Sequence, residues 1–151
     1  MCDLGEIRVQ GNKLFEELLE TCYSTVLIDL LPCAVIFSDK DGLIRGANNQ
    51  SLSMFAYSHD ELLCRTWQEL TYFEDLYLSE VYANMQTTSH HPLVYTIPKR
   101  YIDKHNNIHY CLTTISKISF GTINKVATII DITEDKESWS FLYGEFRKKI
   151  S

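Results

Sequence analysis

The sequence predicts an α+β domain, in which a five-stranded antiparallel sheet carries short helices on one face and has an amphipathic helix at each end. Strand-like apolar runs joined by short turn sequences imply antiparallel pairing, and several short helical segments follow the second strand. Among the 151 residues 45% are apolar, while only three are Pro and six are Gly. This composition supports a packed core rather than disorder.

The first element is a predicted amphipathic helix over Leu14–Leu31. Its apolar residues recur at helical spacing, and its acidic residues occupy the other side. Pro32 ends the helix, because the residue before a proline is pushed out of the helical region. The apolar face is wider than a lone helix can bury, so we expect it to pair with a second copy of the chain or to cover the sheet.

A β-hairpin is predicted next. Ala34–Ser38 is a short apolar run, and Leu43–Ala47 is the returning strand. The intervening Asp39–Gly42 ends in Asp-Gly, a strong hairpin signal because glycine accepts the positive φ of a tight turn.

Short helices are predicted between the second and third strands. Asn48 or Asn49 can cap the first of them. Ser58 caps the second, and Glu61, three residues later, completes a capping box. A further helical segment spans Phe73–Thr87.

The last third of the chain predicts three strands. Val94–Ile102 contains Pro98, which restricts this strand to an edge or a bulge. Apolar and polar residues alternate from Ile108 onward, Gly121–Asn124 is a turn, and Val126–Ile132 is the final strand.

Thr133 begins a last helix, which ends in the basic cluster Arg147–Lys149. Cations at this position complement the negative end of the helix dipole. No basic stripe is interleaved with aromatic residues, and the net charge is −6, so we expect no direct contact with nucleic acid.

The longest apolar stretch, Val26–Phe37, is interrupted by Asp29 and Pro32 and is too short to cross a bilayer. The N-terminus has no apolar signal region, so we expect no membrane contact by this chain. Five widely spaced cysteines without a C-x-x-C pair predict free thiols in a reducing, cytoplasmic setting, and no histidine or cysteine has metal-ligand spacing.

Several motifs, in order, resemble the PAS domain with its C-terminal PAC portion. Asp39–Ile44 is similar to the family's D-x-D-G-x-I hairpin, and Asn48 with Ala56-Tyr57-Ser58 to its N…GYS segment. Asp60–Leu63 matches the helix that begins with the family's eEL, and Asp131–Glu134 its DITE ending. Ala56 replaces a common glycine, which is harmless if its φ is negative, and residues 103–107 replace the usual Asp-Gly turn.

The resemblance implies three segments: an N-terminal dimerisation helix (1–31), a PAS/PAC domain (32–136) and a connector helix (137–151). It implies a sensor that relays the state of a small ligand or a partner to an output domain outside this chain. That output could be a histidine kinase of a two-component system, a cyclic-dinucleotide cyclase or a DNA-binding domain. The alternatives are a ligand-free dimerisation module with a filled core and a small enzyme, although no catalytic motif is present.

A ligand pocket between sheet and helices would be lined by aromatic residues, for which the candidates are Phe37, Phe55, Trp67, Tyr101 and Tyr110. The same residues could equally fill the core. No cofactor is assigned. A flavin photosensor would carry its reactive cysteine where Trp67 stands, not at Cys64, and a haem ligand at His90 or His91 would require a residue in a loop. We expect a homodimer through the N-terminal helix, with the signal leaving through the C-terminal one.

Overall fold

The computed structural model describes residues 28–86 and 94–150. The chain divides into two compact units, Met1–Pro32 and Cys33–Ser151. Most of the helix predicted over Leu14–Leu31 and the pair His90–His91 lie outside the described residues, so dimerisation through that helix stays a prediction. In the first unit the described part is short, with a helical turn at Ile28–Asp29.

The second unit contains a five-stranded sheet in the order β2-β1-β5-β4-β3, and all its neighbouring strands are antiparallel. The strands are β1 (Ala34–Asp39), β2 (Ile44–Ala47), β3 (Val94–Ile102), β4 (Ile108–Phe120) and β5 (Ile123–Asp131). The predicted α+β class with a five-stranded antiparallel sheet is confirmed.

The helices are α1 (Asn49–Phe55), α2 (His59–Leu62), α3 (Trp67–Leu70), α4 (Phe73–Gln86) and α5 (Lys136–Ile150), the last preceded by a 3₁₀ turn at Thr133–Asp135. The first four lie between β2 and β3 in the chain, where short helices were predicted. The fifth follows β5, so the order of elements agrees with the sequence pattern.

Asn48 ties α1 to β1 and is almost fully buried, with 1% exposed. Its Oδ1 accepts hydrogen bonds from the backbone N–H of Ser51 at 3.1 Å and of Val35 at 2.9 Å. Its Nδ2 donates to the carbonyl of Cys33 at 2.9 Å. One side chain therefore caps the helix and anchors the first strand, which satisfies backbone groups that burial would otherwise leave unpaired. The capping box of Ser58 and Glu61 is also formed.

Four described residues have left-handed backbone, namely Gly42, Ala56, Asn106 and Gly121, and the first three bear on the sequence predictions. Gly42 has φ +87°, and a Cβ there would collide with the side chain of Gln68. Asn106 has φ +66°, which asparagine tolerates, so the predicted turn at 103–107 forms. Ala56 has φ +61° at the end of α1. The sequence analysis expected this alanine to be harmless in place of glycine only if its φ were negative. Because its φ is positive, the alanine is strained by roughly 1–2 kcal/mol.

Pro98 lies in β3, and β3 is an edge strand, as the missing N–H of proline requires. The core lies between the inner face of the sheet and the short helices. Its buried members are Ala34, Ile36, Ile44, Phe55, Leu62, Leu70, Tyr101, Cys111 and Ile129.

Candidate functional site

A cavity lies within this core. Its volume is about 40 Å³, which is room for about three water molecules at roughly 10–15 Å³ each. A flavin or a haem has tens of atoms and does not fit a space of this size. Strands β1, β3, β4 and β5 and helices α3 and α4 contribute the walls, which are Ile36, Ser38, Trp67, Leu70, Ser79, Ala83, Tyr95, Lys99, Tyr101, Ile115, Lys125, Ala127 and Ile129.

Two of the five aromatic residues singled out from the sequence, Trp67 and Tyr101, line this cavity. Phe55 has no exposed surface and belongs to the core, where its ring meets that of Tyr101 edge-on at 5.4 Å. Phe37 alternates with Ile36 along β1, and Tyr110 alternates with Cys111 along β4. Their side chains therefore point to the other face of the sheet, and neither lines the cavity.

Lys99 is a candidate site residue that the sequence analysis did not single out. It lies in the cavity wall and is 2% exposed. Its Nζ lies 4.6 Å from the ring centroid of Trp67 and 4.8 Å from that of Tyr101, both favourable cation–π distances. Within residues 28–86 and 94–150, no carboxylate or hydrogen-bond acceptor pairs with this ammonium. The alternation of side chains along a strand could have revealed that Lys99 is buried, because residues 97, 99 and 101 lie on the same face of β3 and Ile97 and Tyr101 point inward.

Burial lowers the pKa of Lys99 to about 7, although Asp75 raises it and Lys125 lowers it further. Removing an ammonium from water disfavours its charged form, so this group changes charge near neutral pH. Lys125 is also in the wall, and burial together with Lys117 lowers its pKa. The wall thus carries two lysines and no carboxylate.

Arg100, the next residue along β3, points away from the cavity and joins three elements. Its backbone N–H and its Nε both donate to Asp75 Oδ2, at 2.8 and 2.9 Å, and its Nη2 donates to Asp75 Oδ1 at 2.8 Å. Tyr143 of α5 donates its hydroxyl to the same carboxylate. Asp75, at the start of α4, is 2% exposed. The carboxylate therefore connects α4, the β3 edge and α5.

Trp139 seats α5 on the sheet. Its indole N–H donates to the carbonyl of Cys111 at 3.0 Å, and the side chain is buried, with 3% exposed. Its ring stacks on Tyr143 at 4.5 Å and meets Tyr110 edge-on at 4.9 Å. Tyr110, singled out as a possible pocket residue, thus holds the C-terminal helix instead.

His109 links the β3–β4 turn to the segment that leads into α5. Its Nε2 lies 2.9 Å from Asp103 Oδ2, and its Nδ1 lies 2.7 Å from Asp131 Oδ2. Burial lowers the pKa of His109, but the two carboxylates raise it by more, so the net shift is upward. Asp131 also accepts from the backbone N–H of Thr133 at 2.9 Å, which fixes the start of the 3₁₀ turn.

In the part of the chain that the structure describes, no helix is long and apolar enough to cross a membrane. Over the same residues, no group of three or more His, Cys, Asp or Glu side chains is placed to hold a metal ion.

A five-stranded antiparallel sheet with short helices on one face is the α+β architecture that the sequence motifs predicted. The model of the PAS domain family matches residues 32–134, which is more than half of the chain. The chain belongs to the PAS domain family. No curated protein matches the sequence significantly.

Solved structures agree with this fold. A PAS domain from a two-component sensor histidine kinase has a TM-score of 0.64 at 17% identity, covering 76% of this chain and 98% of that chain. A PAS domain in complex with ethanol, from a LuxR-family transcriptional regulator of Burkholderia thailandensis, has a TM-score of 0.60 at 18% identity, covering 75% and 99%. The PAS domain of the fruit-fly ELK potassium channel has a TM-score of 0.57 at 16% identity, covering 76% and 99%. At these identities the likeness establishes the fold.

Proposed function

We propose that this chain is the sensory part of a signalling protein, working in a reducing, cytoplasmic setting and without catalytic activity of its own. A small molecule enters the cavity, and the change is relayed through α5 to an output domain outside the chain. The family supports the general role, because PAS domains serve as sensory domains in kinases and regulators.

The observation that carries the proposal is the adjacency of Lys99 and Arg100. Lys99 lies in the cavity wall, while Arg100 binds Asp75, the carboxylate to which Tyr143 of α5 also donates. Alternating side chains put the two residues on opposite faces of one strand. A ligand that moves β3 at Lys99 therefore changes the geometry at Arg100 and, through Asp75, the position of α5.

In energetic terms, a ligand shifts the position of α5 only by the difference between its affinities for the two arrangements. The N-terminal helix would hold two copies of the chain together, so that two connector helices leave the dimer side by side. The output domain could be a histidine kinase, a cyclic-dinucleotide cyclase or a DNA-binding domain.

The small size of the cavity favours a second candidate, a dimerisation module without a ligand. Room for about three waters is what a nearly filled core leaves behind. In that case the two lysines of the wall would be held by water alone.

Native mass spectrometry of the freshly purified full chain, together with its absorbance spectrum, separates the two candidates. We expect a population heavier than the sequence mass by one small molecule, and no visible absorbance. Dimers found only at the bare sequence mass, with and without added metabolite extract, would contradict the sensory proposal and support the dimerisation module.

A further inference from the structure

The cavity has an excess of positive charge that the described residues do not neutralise. Lys99 and Lys125 are in its wall, and the wall contains no Asp or Glu. The acid that most raises the pKa of Lys99 is Asp75. Both oxygens of Asp75 are already engaged by Arg100, and one of them also by Tyr143. Residues 28–86 and 94–150 therefore supply no free negative partner for Lys99.

The lack of a negative partner is informative because burying an unpaired ammonium costs free energy. A buried ammonium without a partner loses its hydration and is destabilising unless it is neutralised or paired. A hydrophobic side chain of similar length would fill the same space without that cost, so a lysine here points to a bound anion.

The walls and the volume define which anion fits. Ile36, Ile115 and Ile129 present hydrocarbon surface, and the space equals about three waters, or three to five non-hydrogen atoms. A short alkyl group suits those isoleucines, while a carboxylate suits the ammonium. Inorganic anions satisfy the charge but leave the apolar wall without a partner.

We propose that the cavity binds a short aliphatic monocarboxylate, of the size of acetate or propionate, through an ion pair with Lys99. This inference rests on the proposed sensory function and names its ligand class. The carboxylate pairs with the ammonium, which lies over the rings of Trp67 and Tyr101, and the alkyl group lies against the isoleucines.

Binding then depends on pH in a defined way. The complex needs an ionised acid, whose pKa is about 4–5, and a charged Lys99, whose pKa is about 7. The ionisable groups that act on this ammonium are Asp75 from α4, Cys111 from β4 and Lys125 from β5. Tyr95 and Tyr101 share the wall, but burial raises the pKa of both, so they stay neutral over this range. Affinity should be highest between about pH 5 and 7 and fall about tenfold per unit above that range.

An NMR titration of the full chain with sodium propionate tests this, following backbone amides and the side-chain nitrogen of Lys99 at about pH 6 and pH 8.5. We expect saturable shifts at the cavity, an upward shift in the pKa of Lys99, and about 30-fold weaker binding at the higher pH. Lys99→Met should abolish binding. Lys104→Met removes the same charge from an exposed pair with Glu61 and should bind as the unaltered protein does.

Equal binding of propionamide, which has the same shape without the charge, would overturn the proposal. So would equal binding of nitrate, which lacks the alkyl group, or unchanged binding by Lys99→Met. If propionate does not bind but native mass spectrometry shows another small molecule, the ligand class is wrong and the sensory function stands. If propionate binds and α5 amides do not shift, the ligand class stands and the relay is wrong.

Discussion

Asp75 on α4 and Arg100 on β3 form the best-satisfied ion pair in the described part of the chain. Two guanidinium nitrogens and the backbone N–H of Arg100 all donate to one carboxylate, at 2.8–2.9 Å. The edge of the sheet is closed further by the N–H of Tyr72, which donates to the Arg100 carbonyl at 3.0 Å. An edge strand that would otherwise expose unpaired backbone groups is thereby covered.

Replacing Asp75 by Asn should destabilise the fold by about 3 kcal/mol, because it leaves a largely buried guanidinium without its charged partner. Chemical denaturation at neutral pH measures the loss. Glu74→Gln is the matched control, because Glu74 contacts the same guanidinium at 3.3 Å but is half exposed, and its cost should stay below about 0.5 kcal/mol. Equal effects of the two substitutions would contradict a special role for Asp75.

Replacing Lys99 by Met should stabilise the protein. The pKa of Lys99 falls from its ordinary value to about 7 on folding, so the folded state disfavours the charged form. The cost is fully present below pH 7 and disappears as pH rises through the unfolded value, about 10.4. Because one pKa unit corresponds to about 1.4 kcal/mol, denaturation curves should show a gain of about 4–5 kcal/mol at pH 6 that falls below about 1 kcal/mol near pH 10. A constant gain, or a loss at pH 6, would show that the ammonium is not buried unpaired.

His109 should give the opposite dependence on pH. Its folded pKa is raised by Asp103 and Asp131, so its contribution to stability is complete below the unfolded pKa, about 6.5, and is lost as pH rises through the folded pKa. The pKa of Asp103 is lowered to about 2 and that of Asp131 is also lowered, so their contribution is lost in acid.

His109→Gln should therefore remove the part of the stability change between about pH 6 and 8 that histidine contributes. Stability curves of the variant and of the unaltered protein, measured across that range, give the difference directly. His105→Gln is the control, because His105 lies in the exposed turn. The same change of slope in both variants would rule out the His109 cluster as its source.

Charged residues introduced on the apolar face of the predicted N-terminal helix test whether that helix forms the dimer. Leu18→Glu with Leu27→Glu should give a folded monomer, because two carboxylates cannot be buried between helices without partners. Light scattering reports the mass, and circular dichroism reports the fold. Glu17→Gln with Glu20→Gln changes the polar side of the same predicted helix and should remain dimeric. A dimer that survives the leucine substitutions would place the interface elsewhere.

Local chemistry explains what could be predicted from the sequence. Three predicted features each depend on a few neighbouring residues, and each is present: the helix cap at Asn48, the capping box of Ser58 and Glu61, and the edge strand that contains Pro98. The positive φ of Ala56 could not be read in the same way, because it results from how α1 ends against the rest of the domain.

The residues of the site are those whose side chains point from the sheet toward the helices, and which residues of each strand do so was harder to predict. Lysine is almost never fully buried, so the residue type alone did not single out Lys99, although it lies between Ile97 and Tyr101. Phe37 and Tyr110 were grouped with Trp67 because all three are aromatic. The alternation of β1 and β4 separates them, since it sends both to the other face.

Hydrogen–deuterium exchange of α5 tests the central claim, that the cavity is coupled to the C-terminal helix through Arg100, Asp75 and Tyr143. Lys99→Met alters the cavity without touching α5, so we expect changed exchange of amides 136–150. The same substitution in a Tyr143→Phe background should have no such effect, and Lys104→Met should have none in either. Identical exchange of α5 in the unaltered protein and in Lys99→Met would contradict the relay.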